Sequence, residues 1–379
     1  MAVDALVVGL CSHGLSVSRS LARSGANVVA VEANATLPGT RTQTARVVQI
    51  ASLDEDQLAD SLIELAKRED LQRDKPWLFL TNDAMVRAVA TQWERLANFY
   101  RLSWSRDTAL VAALLDKASI AGFCEKAGVD FPRSETIDDI DSLQIAENLF
   151  PAAVKPAAPM GRFKVSLAQH GQDVVALAEA YPGALPFIVQ EWIPGGQENL
   201  VFASGFAVDG KLMHAFSGFK LRSWPLDSGQ GSVIVAKHDA AVIEAARQFV
   251  EATGLTGPIA CEFKRRPDGR LALIEPNVGR TEYCTQLAAS NGVDLVAAEY
   301  AYCSGTTRAE RDQTDHKVWC DFERDSGSVW VGLRYILKDR NARALVTPFF
   351  DWSDNGPLFI ALKQRFTRLL GKLRTKVVS

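Results

Sequence analysis

The stretch IACEFKRRPDGRLALIEPNVGR, residues 259–280, decides how the rest of this chain is read. Two strand-like runs flank Pro267-Asp268-Gly269-Arg270, a strong hairpin signal. With Asp268-Gly269 as a two-residue loop, Glu262 falls directly opposite Glu275. A four-residue loop keeps that register; a three-residue loop shifts it by one. Directly opposed side chains have Cβ atoms about 4.5–5.5 Å apart. Two carboxylates so placed repel unless one takes a proton or a cation lies between them. Strand alternation puts Asn277 on the face of Glu275. Two carboxylates and an amide oxygen form a hard oxygen cluster, which suits Mg2+ with water or phosphate completing the shell. The competing reading is an exposed charged face, with Lys264 neutralising one acid.

Upstream, the first hundred residues alternate strand and helix. ALVVGL (5–10), NVVAVE (27–32), VVQIA (47–51) and WLFLT (77–81) read as strands, with helices over 14–24 and near 55–68. That rhythm predicts a mostly parallel sheet with right-handed crossovers. A G-x-G-x-x-G fingerprint beginning at Gly9 has Gly14, but Cys11 holds the middle position, where glycine lets the backbone approach a pyrophosphate. Glu32 ends the second strand, where a ribose ligand would sit. The economical reading is a Rossmann-like sheet with no dinucleotide. Residues 107–127 read as helical, with Gly128 as the residue after the helix end. From about 151 short strands punctuated by Gly and Pro take over, including a second hairpin signal at Val208-Asp209-Gly210-Lys211.

Composition sets outer bounds. The chain has 379 residues, of which 47% are hydrophobic and 23% charged, so it is neither disordered nor collagen-like. A net charge of −3 argues against nucleic-acid binding by bulk charge. No apolar run is long enough to span a bilayer, and MAVDALVVGL lacks the basic flank of a signal peptide. The six cysteines include no C-x-x-C pair and read as reduced, mostly packed thiols of a cytoplasmic protein; the five scattered histidines show no zinc spacing.

Taken together, these segments resemble the ATP-grasp superfamily, and within it the carboxylate–amine ligases. The resemblance spans roughly residues 110–285. It implies an α/β chain: an N-terminal Rossmann-like pre-ATP-grasp domain (1–105), then a two-lobed α+β ATP-grasp domain. The small lobe would be 106–186 and the large lobe with the nucleotide and metal site 187–305, followed by a C-terminal extension (306–379). By resemblance, Lys117 and Lys155 hold ATP phosphates, with Lys164 on a loop (157–164) that has only Gly161 where the family is glycine-rich. FIVQEWIPGGQENLVF (187–202) matches the hinge, where Gln190, Glu191 and Ile193 line the adenine and Glu198 meets the ribose. Glu262, Glu275 and Asn277 hold Mg2+, with Mn2+ as a substitute. Arg280 lies one residue further along than in the family's E-x-N-x-R. With Lys220 and Arg222 it would offset charge on an acyl phosphate; in a regular strand those two cations share a face.

The implied reaction joins a small-molecule carboxylate to an amine without nucleic acid, and the resemblance carries the expectation of a homodimer. Two other readings stand beside it: a non-catalytic nucleotide-binding scaffold on the same fold, and a nicotinamide-dependent oxidoreductase using the N-terminal domain. The C-terminal segment has no acid from Asn355 to Ser379, but carries Lys363, Arg365, Arg368, Lys372, Arg374 and Lys376. Leu362, Phe366, Leu369, Leu370 and Leu373 fall at helical spacing. Residues 358–376 therefore read as a basic amphipathic helix that either docks on its own domain or meets a membrane or partner.

Overall fold

The computed structural model describes residues 2–69, 71–139, 147–157, 163, 165–226 and 229–377, with side chains of the last helix described through Arg368. Lys164, and with it most of the 157–164 loop, lies outside the described residues.

The N-terminal unit runs β1 (Ala5–Val8), α1 (Ser12–Arg23), β2 (Val28–Glu32), β3 (Arg46–Gln49), α2 (Leu58–Arg68), β4 (Trp77–Leu80) and α3 (Asp83–Thr91). Its four strands are parallel in the order β3-β2-β1-β4. Leu6 and Val8 enter one core and Ala5 and Val7 another, so β1 is covered on both faces. That is why its sequence is continuously apolar rather than alternating.

After the short α4 (Trp93–Leu96) come α5 (Thr108–Leu115) and α6 (Ile120–Ala127). The stretch 107–127, expected to be helical, is two helices with a break at 116–119. Asp116 ends the first helix, and its carboxylate accepts from the Ala118 amide and the Ser119 hydroxyl, holding the turn that precedes the second. Gly128 closes α6 in the left-handed region, at φ 64°.

A second sheet is antiparallel, in the order β5-β8-β6-β7. It contains β5 (Ser134–Ile137), β6 (Ala152–Pro156), β7 (Ser166–Ala168) and β8 (Phe187–Glu191), with α7 (Gly171–Ala180) between β7 and β8. The third sheet holds β9 (Leu200–Val208), β10 (Lys211–Trp224), β11 (Gln230–Ala236), β12 (Gly257–Arg265) and β13 (Leu271–Val278). Helix α8 (Ala240–Thr253) connects β11 to β12. Beyond α9 (Thr285–Ser290) and α10 (Leu295–Cys303), β14 (Lys317–Cys320) and β15 (Ala344–Val346) join the same sheet, giving the order β13-β12-β9-β10-β11-β14-β15. The segment read as a C-terminal extension thus adds two strands to the large sheet. Between those strands lies α11 (Ser328–Lys338), and the chain ends in α12 (Gly356–Val377).

The β12–β13 hairpin reaches the expected pairing by an unexpected route. The Arg266 amide donates to the Arg270 carbonyl, and Gly269 at φ 88° closes a three-residue loop. That loop pairs Arg265 with Leu271 and Phe263 with Leu273. A bulge at Ile274 then restores the register, so Glu262 faces Glu275 and Ala260 faces Asn277.

Candidate active site

Glu262, Glu275 and Asn277 share one face of the hairpin, since the pairing is regular from Glu262 back to Ala260. Each of the three oxygen donors meets a cation. Lys220 Nζ lies 2.5 Å from Glu262 Oε2, Lys117 Nζ lies 3.8 Å from Glu275 Oε1, and Arg280 Nη2 donates to Asn277 Oδ1 at 2.7 Å. This is how the structure offsets the repulsion of two opposed carboxylates. Among the described residues no three His, Cys, Asp or Glu side chains gather into a metal cage. The donor set is two carboxylates and one amide oxygen, hard donors with too few charges to enclose a cation alone. It fits a Mg2+ ion shared with phosphate and water.

The expected phosphate-binding lysines converge on a cavity of about 440 Å3. It lies between the N-terminal unit, the α5–α6 break, the small sheet and β13. Lys117, Lys155, Gln190 and Glu275 line it, together with Ser134, Ile188 and Phe131. Lys117 lies in the turn between α5 and α6 that the Asp116 carboxylate holds. Lys155 extends from β6, donates to Gln190 Oε1 at 3.0 Å, and Gln190 passes its amide hydrogen to Ser134 Oγ at 2.9 Å. Burial first, then the nearby Lys117 charge, pulls the Lys155 ammonium down to about 8; Glu275 and Glu262 act in the opposite direction.

The hinge is anchored from below. Lys264 reaches back from β12 and donates to the Gly195 and Gly196 carbonyls at 2.9 and 2.8 Å. It therefore fastens the hinge rather than neutralising a site acid. The Glu191 side chain, expected beside the adenine, is held in an ion pair. Its carboxylate pairs with Arg266 at 2.9 Å, and Arg266 also binds Asp130 at 2.6 Å. The Glu191 and Trp192 amides are occupied as well, by the Arg133 and Pro151 carbonyls. Ile193 is buried, and Glu198 is exposed with its carboxylate folded over Gly196.

The shared face of Lys220 and Arg222 needs correction. β10 is bulged between Lys220 and Ser223, which breaks strict alternation. Lys220 reaches Glu262, whereas Arg222 pairs with Asp325 at 2.5 Å, just before α11. Asp325 also accepts from Ser232 Oγ and the Gly327 amide. Arg222 is thereby committed to a different cluster. Lys220 stays charged despite burial, because Glu262, Glu282 and Glu275 raise its affinity for a proton.

Arg280 is positioned by Gly279. That residue adopts φ 72°, and a Cβ there would lie 2.6 Å from Val86 Cγ1. The turn brings the guanidinium back toward Asn277, offsetting the one-residue displacement seen in the sequence. Its other donors reach Asp83 Oδ1 at 2.7 Å and the Thr281 carbonyl at 3.2 Å.

Three residues of this cluster were not singled out in the sequence. His13 Nδ1 lies 3.0 Å from the Thr81 carbonyl, and Nε2 lies 2.9 Å from Thr281 Oγ1. Burial and the Arg280 charge lower His13 to about 3, so its ring is neutral. Asp83 opens α3 at the carboxyl end of β4, and the buried Glu282 sits near Arg280 and Lys220. Burial raises the Glu282 carboxyl, with both cations opposing. No local pattern marks them, since His13 meets partners 68 and 268 residues away.

Glu32, where the dinucleotide alternative would place a ribose, is engaged by the backbone. Both Glu32 oxygens accept backbone amides, from Leu10 at 2.7 Å and from Ala33 and Asn34 at 3.0 Å. Cys261 and Cys284 are buried in apolar clusters, consistent with packing. No described helix is long and apolar enough to cross a membrane.

No protein-family model matches the sequence, and no curated protein does. Solved structures do match. N5-carboxyaminoimidazole ribonucleotide synthetase, in its ADP complex, aligns at TM-score 0.66 and 14% identity over 82% of this chain and 79% of that one. The biotin carboxylase domain of Hydrogenobacter thermophilus 2-oxoglutarate carboxylase, in complex with MgADP, ADP and bicarbonate, aligns at 0.64 and 14%, over 84% and 74%. The L-amino acid ligase from Bacillus licheniformis aligns at 0.60 and 16%, over 80% and 75%. Likeness at this level of identity establishes a shared fold.

Proposed function

The chain has the ATP-grasp fold, and from that premise we propose that it is an ATP-dependent ligase joining a carboxylate to an amine. The observation that carries the reading is the cavity of about 440 Å3 where Lys117, Lys155, Gln190 and Glu275 meet, beside the Glu262–Glu275 pair.

A carboxylate and an amine do not condense in neutral water, because the carboxylate is a poor electrophile. In the proposed reaction a carboxylate oxygen attacks the γ-phosphorus of ATP, the bond to the β–γ bridging oxygen breaks, and ADP leaves. The amine then attacks the acyl carbon, loses a proton, and phosphate departs with the electron pair of its bond to carbon. The protein's contribution is positioning and charge neutralisation. Lys117 and Lys155 hold the phosphates, and the Gln190 to Ile193 hinge flanks the base. Glu262, Glu275 and Asn277 would hold Mg2+ or Mn2+, which supplies charge neutralisation at the phosphates when bound. Arg280 and Lys220 sit against those donors and offset charge on the acyl phosphate. Arg222 anchors the start of α11 instead.

Calorimetry of ATP binding, with and without Mg2+, tests the site in wild type and Glu275→Ala. Micromolar binding that needs Mg2+ and collapses in the variant is expected. Binding indifferent to Mg2+ and to Glu275 would sink the ligase reading.

A further inference from the structure

We propose that α12 lays the protein on an anionic lipid surface. The helix docks on its own domain by one side only. Ala361 is fully buried and Leu358 partly so, packed with Leu15, Phe349 and Phe322. The other side is bare. Phe359, Leu362 and Phe366, spaced three and four residues apart, form one stripe, and they are 68%, 47% and 64% exposed. Among the described residues nothing covers this stripe, although each of its residues is of the type that cores and bilayers take up.

The chemistry beside the stripe selects the occupant. Lys363 borders it and also lines an open recess of about 620 Å3 shared with Arg41, Arg368, Thr36, Gln364 and Thr367. Arg368 pairs with Glu323, so Arg41 and Lys363 remain as the recess cations with no ion pair among the described residues. Asn355 to Ser379 contains no acid and six basic residues, in a chain whose net charge is −3. An apolar stripe beside cations is the pattern of a helix lying in the headgroup plane, with aromatic rings in the acyl boundary and cations on phosphates. A soluble protein partner would require acids spaced to fit; an anionic bilayer supplies negative charge and apolar depth at any register. This surface is separate from the nucleotide cavity.

The test is co-sedimentation of the full chain with phosphatidylcholine vesicles, with and without a third of phosphatidylglycerol. Binding is expected only on the anionic vesicles, and raised salt should release it. Phe359→Ser with Phe366→Ser should lower partitioning by about tenfold or more. Lys363→Glu should also lower it, and circular-dichroism melts check that both variants keep the wild-type fold. The lipid and salt comparisons on wild type need no variant at all. No sedimentation, or equal sedimentation on neutral vesicles, would overturn the proposal. So would a wild-type dimer in light scattering that Phe366→Ser splits, since the stripe would then join two copies.

Discussion

Lys155 offers the sharpest test of the nucleotide site, because its charge is set by its surroundings. Burial first, and the Lys117 charge second, pull its ammonium down to about 8. A polyphosphate bound beside it adds negative charge and favours the protonated form. Nucleotide binding must therefore take up a proton wherever the free protein has lost one. At pH 8 the uptake should be about half a proton per site, rising toward one by pH 9. Affinity should weaken by about 8-fold between pH 7.5 and 9, or roughly 1.3 kcal/mol. Calorimetry in buffers of different ionisation enthalpy reads both quantities at once, and saturating Mg2+ keeps the nucleotide's own titration below this range. Lys155→Arg keeps a cation at every accessible pH, so its profile should be flat. A flat wild-type profile, or a slope retained in Lys155→Arg, would remove Lys155 from the phosphate site.

Two further outcomes concern stability. Burial raises the Glu299 carboxyl to about 8, against a hydrogen bond of 2.6 Å from Ser103 Oγ that pulls it down. The folded state then keeps a proton that the unfolded chain loses, so stability falls from about pH 4.5 up to 8, by at most about 1.4 kcal/mol per pH unit. Melting curves should show Glu299→Gln gaining on wild type as pH rises through that window; a pH-independent gap would refute the assignment. Arg19, 1% exposed, donates to Asp354 Oδ2 at 2.9 Å and to the Pro348 and Asp354 carbonyls, holding the chain before α12 against α1. Asp354→Ala leaves that guanidinium buried without its counter-ion and should cost about 3–5 kcal/mol in urea unfolding; a loss under 1 kcal/mol would show that the two carbonyls suffice.

Much of the fold was legible because it is written in local pattern. The apolar runs at 5–10, 27–32 and 77–81 mark a sheet covered on both faces, and Val208-Asp209-Gly210-Lys211 marks a two-residue turn between β9 and β10. Glu262, Glu275 and Asn277 were legible because strand pairing carries alternation from one residue to the next. The route was less legible: the three-residue loop and the Ile274 bulge cancel, and neither has a sequence signature of its own. Irregularity also undid the inference for Arg222, since the register shifts on either side of it redirect its side chain before the original pairing resumes at Ser223.

What the sequence determined by itself is therefore whatever near neighbours enforce: strand and helix periods, turn residues, and the paired acids of one hairpin. Tertiary structure decided which polar group meets which. Arg280 finds Asp83 across 197 residues, His13 finds Thr281 across 268, and Arg222 leaves the acid pair for Asp325. A buried charge must be matched wherever the packed chain can supply a partner, and distance along the sequence places no bound on where that partner lies.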